Sequence, residues 1–156
     1  MSSRYIRSET RVSMAINTVI SGLFAWFPFQ GVSTVPLWGG MGMVVDLLPT
    51  VFMITLMTAN IETLLTRKRV RSGELAAMPV PPRWQWLPRN VLLRALVLGL
   101  LMTALLVPLM TALFLVTGIE SLPYPVFFAY KLVFGALLAL LITPIILRRA
   151  LGDQQQ

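Results

Sequence analysis

The chain has 156 residues, of which 56% are hydrophobic and only 12% charged, with a formal net charge of +7. A soluble domain ordinarily carries about 25% charge, so this composition excludes that class and points to a membrane protein with no separate soluble domain. Cysteine and histidine are both absent, which excludes disulfides, thiol chemistry and imidazole-ligated metal or haem.

Residues 1–11 are polar and basic, with Arg4, Arg7 and Arg11 against Glu9. They resemble the n-region of a signal peptide, but no small-x-small cleavage site follows the apolar stretch 12–29, which reads as a retained first span. Asn17, Thr18 and Ser21 make its first half fairly polar; Phe24, Trp26, Phe27 and Phe29 crowd its far end as an interfacial belt. Pro28 ends the helix or bends its last turn, because it removes an amide donor. A re-entrant or interfacial helix is the alternative reading. The connection 30–40 holds Pro36, Trp38, Gly39 and Gly40 and no charge, as expected of an exported turn.

The second span covers 41–65. Asp46 lies just inside one end, and Pro49 cannot donate to the carbonyl of Val45. Asn60 and Glu62 lie near the other end, just before Arg67, Lys68, Arg69 and Arg71, and Glu62 reads as neutralised by those bases. The loop 66–90 is basic and proline-rich, with Trp84 and Trp86 between Arg83 and Arg89. It reads as an interfacial anchor in which Arg67, Lys68, Arg69, Arg71, Arg83, Trp84, Trp86 and Arg89 meet anionic lipid heads or a partner.

The third span covers 91–117, with Arg94 one turn inside and free to snorkel to the headgroups, and Pro108 at mid-span. A short turn containing Leu122, Pro123, Tyr124 and Pro125 leads to the fourth span, 126–147, which contains Lys131 and ends beside Arg148 and Arg149. The tail 150–156 reads as disordered.

Twelve of the thirteen Lys and Arg residues fall in the two termini, in the loop 66–90 or at the start of the third span. Basic segments beside a membrane stay cytoplasmic. The expected fold is therefore all-α: a single membrane domain, a four-helix transmembrane bundle of two hairpins with both termini cytoplasmic. The charge bias fits a bacterial inner membrane, and charges that flank apolar spans argue against nucleic acid.

Ionisable groups inside a span are functional hypotheses by default, since an unpaired charge in hydrocarbon is expensive. Asp46 and Lys131 enter from the same face at similar depth and are expected to form an intramembrane ion pair that fixes spans two and four. The alternatives are that each reaches the interface separately, or that both lie on a solute, ion or proton path. Asn17 and Asn60 are candidates for a polar contact across the first hairpin. The small-residue stripes Ala95, Gly99, Thr103 and Gly135, Ala139, Thr143 are candidates for close packing of spans three and four, with Gly99 level with Thr143 and Thr103 with Ala139. No HExxH, CxxC, GxSxG or P-loop pattern is present. The sequence therefore reads as a non-catalytic membrane protein without cofactor or metal, a small accessory or scaffold protein that binds lipids and a membrane partner. The alternative is a protomer of a small oligomeric transporter or channel.

Overall fold

The computed structural model describes residues 2–153. Its elements in chain order are α1 (Ser2–Trp26), β1 (Thr34–Pro36), α2 (Met43–Arg71), a 3-10 turn (Pro82–Trp84), α3 (Val91–Val116), β2 (Ser121–Pro123) and α4 (Tyr124–Leu151). Helices α2, α3 and α4 have 29, 26 and 28 residues and are apolar enough to cross a membrane. At a rise of about 1.5 Å per residue each exceeds the ~30 Å hydrocarbon core. The chain is a multi-pass integral membrane protein with an essentially all-α fold.

The expectation of four spans is corrected. Among the described residues there are four α-helices, but only three qualify by length and apolarity. Helix α1 is long enough and too polar: its 25 residues include Arg4, Arg7, Glu9, Arg11 and Ser13 in the first half and Asn17, Thr18 and Ser21 in the second. The start of α1 and the end of α4 nonetheless lie at one end of the molecule, Glu9 pairing with Arg69 and Asp153 with Arg67 at the end of α2. The N-terminal basic segment is itself helical, and α1 stops two residues before Pro28.

The two-hairpin bundle, α1 on α2 and α3 on α4, is corrected as well. Helix α1 lies chiefly along α4, α2 lies chiefly along α3, and α2 and α4 meet at the centre. The small-residue stripes serve these pairs instead of an α3–α4 contact. A Cβ at Gly135 would stand 2.5 Å from Ser21 Cβ and 2.6 Å from the Asn17 carbonyl oxygen, so α1 and α4 approach as closely as a glycine permits. A Cβ at Gly99 would meet the Phe52 ring of α2 at 3.1 Å. Helix α3 touches α4 through the edge of Phe114 against Tyr130, with ring centroids 5.5 Å apart.

One end of the molecule is closed by the connections read as separate turns. Strands β1 and β2 pair antiparallel, Val35 opposite Leu122, and the ribbon is continued by Leu37 N–H to Glu120 O (2.8 Å) and Tyr124 N–H to Ser33 O (2.9 Å). Val35 is fully buried, and the paired Phe29 and Phe127 rings contribute to the same apolar core. At the other end lie the start of α1, the ends of α2 and α4 and the start of α3. There α2 stays helical through the basic block to Arg71, so the loop begins at residue 72 instead of 66, and α3 starts on an Asn90 cap that accepts from Leu93 N–H. The tail read as disordered is ordered as far as the description extends. Helix α4 continues to Leu151, and Gly152 lies so close to the Val80 segment that a Cβ would strike Val80 Cγ2 at 2.2 Å. Residues 154–156 of that tail lie outside the described residues.

Candidate functional site

Helices α2 and α4 carry the intramembrane charges on one facing line. Asp46 is one turn inside the ribbon end of α2, and Lys131 lies seven residues into α4. Lys131 Nζ donates to Asp46 Oδ2 and to Thr50 Oγ1, both at 2.5 Å. The lysine is fully buried and the aspartate side chain 7% exposed. Thr50 sits one turn after Asp46 on the same helix face, so one helix supplies two acceptors to one ammonium. Helix α1 joins from the other side, with Ser21 Oγ donating to the Lys131 carbonyl at 2.6 Å.

From this pair a polar seam follows α1, α2 and α4 toward the basic end. The Asn17 amide donates to Thr58 Oγ1 at 3.1 Å and to the Ser13 carbonyl at 2.9 Å, and the Thr58 hydroxyl is 3.2 Å from Asn17 Oδ1. Thr143 of α4 donates to Ser13 Oγ at 2.9 Å. The contact expected between Asn17 and Asn60 is not made, because Asn60 donates to the carbonyl of Leu56 in its own helix. The seam has a sequence signal that residue-by-residue reading passes over. Glu9, Ser13, Asn17 and Ser21 recur every fourth position in α1, and Asp46, Thr50, Thr58, Glu62 and Thr66 fall on the same spacing in α2.

At the basic end the organising residue is Asp153, which lies in the tail that sequence reasoning set aside. Its carboxylate accepts from Arg94 Nη2 at 2.7 and 2.8 Å, from Arg149 Nη1 at 2.6 Å and from Arg67 Nε at 2.8 Å. Arg94 also donates to the Pro88 carbonyl (2.9 Å), Arg149 to the Leu87 carbonyl (3.1 Å) and Arg67 to that of Arg89. Arg89 reaches the Asp153 carbonyl at 3.3 Å. One carboxylate thus gathers the ends of α2 and α4, the start of α3 and the loop before it. Arg94, expected to snorkel, is fully buried. Arg67 and Arg89, expected on lipid heads, direct their guanidiniums to the tail. The other residues assigned to that surface are more open. Lys68, Arg71, Arg83 and Trp86 are exposed, and Trp84 is half-buried under the Arg83 guanidinium. Arg69 pairs with Glu9 and lies 5.4 Å over the Tyr5 ring. Burial raises the Tyr5 phenol above its ordinary pKa.

Glu62 is not neutralised as the sequence suggested. It is 6% exposed, and its Oε2 has no hydrogen-bond partner among the described residues. The nearby bases are engaged elsewhere, Arg69 by Glu9 and Arg67 by Asp153. The carboxylate lines a shallow groove between α1 and α2, with Ser13, Asn17 and Thr58 on the polar side and Ile16, Met57 and Ile61 on the apolar side.

Among the described residues no group of three or more His, Cys, Asp or Glu side chains is placed to hold a metal ion. No protein-family model, curated protein or solved structure matches the chain.

Proposed function

We propose that this chain is a small accessory or scaffold protein of the bacterial inner membrane that binds a membrane partner and carries out no catalysis of its own. The observation that supports this is how the spans handle their charge. Lys131 and Arg94 are both fully buried and paired, with Asp46 and with Asp153. Between those two pairs the centre of the bundle is filled by Val51, Ile54, Leu98 and Ile142, each 2% exposed or less. A solute or ion path needs polar groups free to solvate its cargo, or water, at that depth; these side chains offer neither, and in the polar seam beside them Asn17 and Thr58 bond each other and Thr143 bonds Ser13. The exposed faces of the spans, among them Leu92, Leu100, Leu105, Leu109, Val133, Leu137 and Leu141, suit lipid or another helix. Lys68, Arg71 and Arg83 at the basic end suit anionic headgroups, each contributing about 1 kcal/mol at a charged surface.

The test is native mass spectrometry of the intact assembly, purified from its own membranes into mild detergent and into lipid discs. A defined second polypeptide at fixed stoichiometry is expected in both. A homogeneous homo-oligomer that passes solute in proteoliposomes, with flux abolished in Asp46 and Lys131 variants, would overturn the reading in favour of a transporter or channel protomer.

A further inference from the structure

We propose that the groove between α1 and α2 is the docking site for a transmembrane helix of the partner, and that this helix presents a lysine or arginine to Glu62. The proposal rests on the accessory reading and specifies its chemistry.

Three observations converge on it. The first is the Glu62 carboxylate, which has no ion-pair partner among the described residues and no hydrogen bond at Oε2. An acid 94% withdrawn from its surroundings with an oxygen that no described residue satisfies is costly, the more so beside hydrocarbon, and a cation offers the strongest compensation. Ser13 is the hydrogen-bonding neighbour of the carboxylate, which leaves Oε2 without a partner, and the other groups beside it are already engaged. Asn17 and Thr58 bond each other, and Ser13 accepts from Thr143 and from Asn17.

The second is the shape of the groove, which holds about 40 Å³. A drug-sized ligand needs a pocket of roughly 300–1,000 Å³, so a free lipophilic amine has nothing to enclose its body. The tip of one side chain fits. Its helix would rest on the ridges outside the groove, where Ile16 is 53% and Ile61 50% exposed and where Val12, Val19 and Leu64 extend the apolar surface along the same two helices.

The third is depth and complementarity. Glu62 lies nine residues before the end of α2 and five before the first base of its terminal block. A cation opposite it therefore sits about 8 Å inside the basic end, at a rise of about 1.5 Å per residue, a depth at which Lys and Arg gain from a partner. Inside its spans a second copy of this chain offers no free cation, since Lys131 and Arg94 are buried and paired within their own bundle; its exposed Arg11 belongs to α1, which is not a span. The occupant is a different chain.

The experiment uses the full-length protein, labelled with a fluorescence donor at S72C, in phosphatidylcholine–phosphatidylglycerol vesicles. The probe is an acceptor-labelled Leu/Ala helix of about 23 residues with one lysine placed to meet Glu62; the control has leucine there. The wild type is expected to bind the lysine helix about tenfold more tightly than the leucine helix, the scale of one polar contact between membrane helices. E62Q, which keeps the shape and removes the charge, is expected to abolish the difference, and I61W, which obstructs the groove with Glu62 intact, to weaken both helices. Thermal unfolding of each variant separates loss of docking from loss of fold. Equal binding of the two helices by the wild type overturns the proposal, as does an unchanged preference in a folded E62Q. Either result leaves the accessory reading standing on its stoichiometry, and a homo-oligomer in the native spectra would remove that reading without altering the peptide result.

Discussion

Asp153 Oδ1 stands 2.7 Å from Arg94 Nη2, and through that contact the last described residue of the chain is tied to the first turn of α3. The carboxylate is shared with Arg149 and Arg67, so its removal leaves three guanidiniums crowded without a counter-charge. Breaking a buried pair from one side costs about 3–5 kcal/mol. D153N is therefore expected to lower thermal stability in detergent substantially, as is truncation before Gly152. R148Q, on an adjacent residue that is not in the cluster, is expected to change it little. A D153N protein with wild-type melting would refute the view of the tail as a structural clasp.

The Asp46–Lys131 pair behaves differently, because each charge has one ionic partner. D46N alone leaves a buried ammonium held only by Thr50, and K131M alone leaves a buried carboxylate. Each is expected to cost about 3–5 kcal/mol, whereas the D46N/K131M double variant removes both charges and recovers part of the loss. Thermal stability in detergent closes the cycle. Additive losses would mean that the two groups are not coupled.

Asn17 and Asn60 look alike in the sequence, yet the structure gives them different roles. Thr58 faces α1 and accepts from Asn17, while Asn60 lies about 200° around the helix from Thr58 and bonds only to its own backbone. N17A is expected to cost up to about 1 kcal/mol, the usual scale of interhelical hydrogen bonds in membranes. N60A is expected to be close to neutral. The comparison is made by thermal melting of both variants, and the reverse order would contradict the seam.

The difference between what could and could not be read from the sequence follows from the range of each signal. The three spans were legible because about 20 consecutive apolar residues dominate any local reading. The meeting of Asp46 and Lys131 was legible as a candidate because helical rise fixes depth. Asp153 was not, since one acid in a polar terminus looks solvated; the clue lay in Arg94, a charge inside a span in need of a partner. The β1–β2 ribbon is three residues per strand, too short for an alternating pattern to emerge. The pairing of α1 with α4 is not legible, because adjacency in the chain does not imply adjacency in space. Gly135 and the Ser13–Asn17–Ser21 stripe match one another, but nothing local says so.

The ribbon also fixes which loops share a side. Ser33 accepts from Tyr124, and Ser121 pairs with Pro36, so both serines lie at the same end of the molecule. Ser72 follows α2 at the opposite end, beyond a helix long and apolar enough to cross the membrane. The chain has no cysteine, so S33C, S121C and S72C each give a single label without background. S33C and S121C are expected to react with an impermeant maleimide from one side of sealed vesicles, and S72C only from the other. Labelling of all three from one side would overturn the orientation of α2.

The α1–α4 interface makes the final prediction. At Gly135 an added methyl meets Ser21 Cβ and the Asn17 backbone, which can yield only if α1 moves away from α4. At Gly99 it meets the edge of a phenyl ring at 3.1 Å, which can yield by a small rotation of Phe52. G135A is therefore expected to cost about 1–3 kcal/mol, in the range for overpacking, and G99A distinctly less. Because α1 is not apolar enough to count as a span, its place depends on this close contact and on the hydroxyl and amide bonds beside it. In G135A those bonds stretch as well: Ser21 Oγ to the Lys131 carbonyl and Thr143 Oγ1 to Ser13 Oγ both bridge the same two helices. Limited proteolysis of the detergent-solubilised protein is thus expected to release the α1 segment faster in G135A than in G99A or the wild type. Equal protection in all three would mean that the close approach at Gly135 does not hold α1 in place.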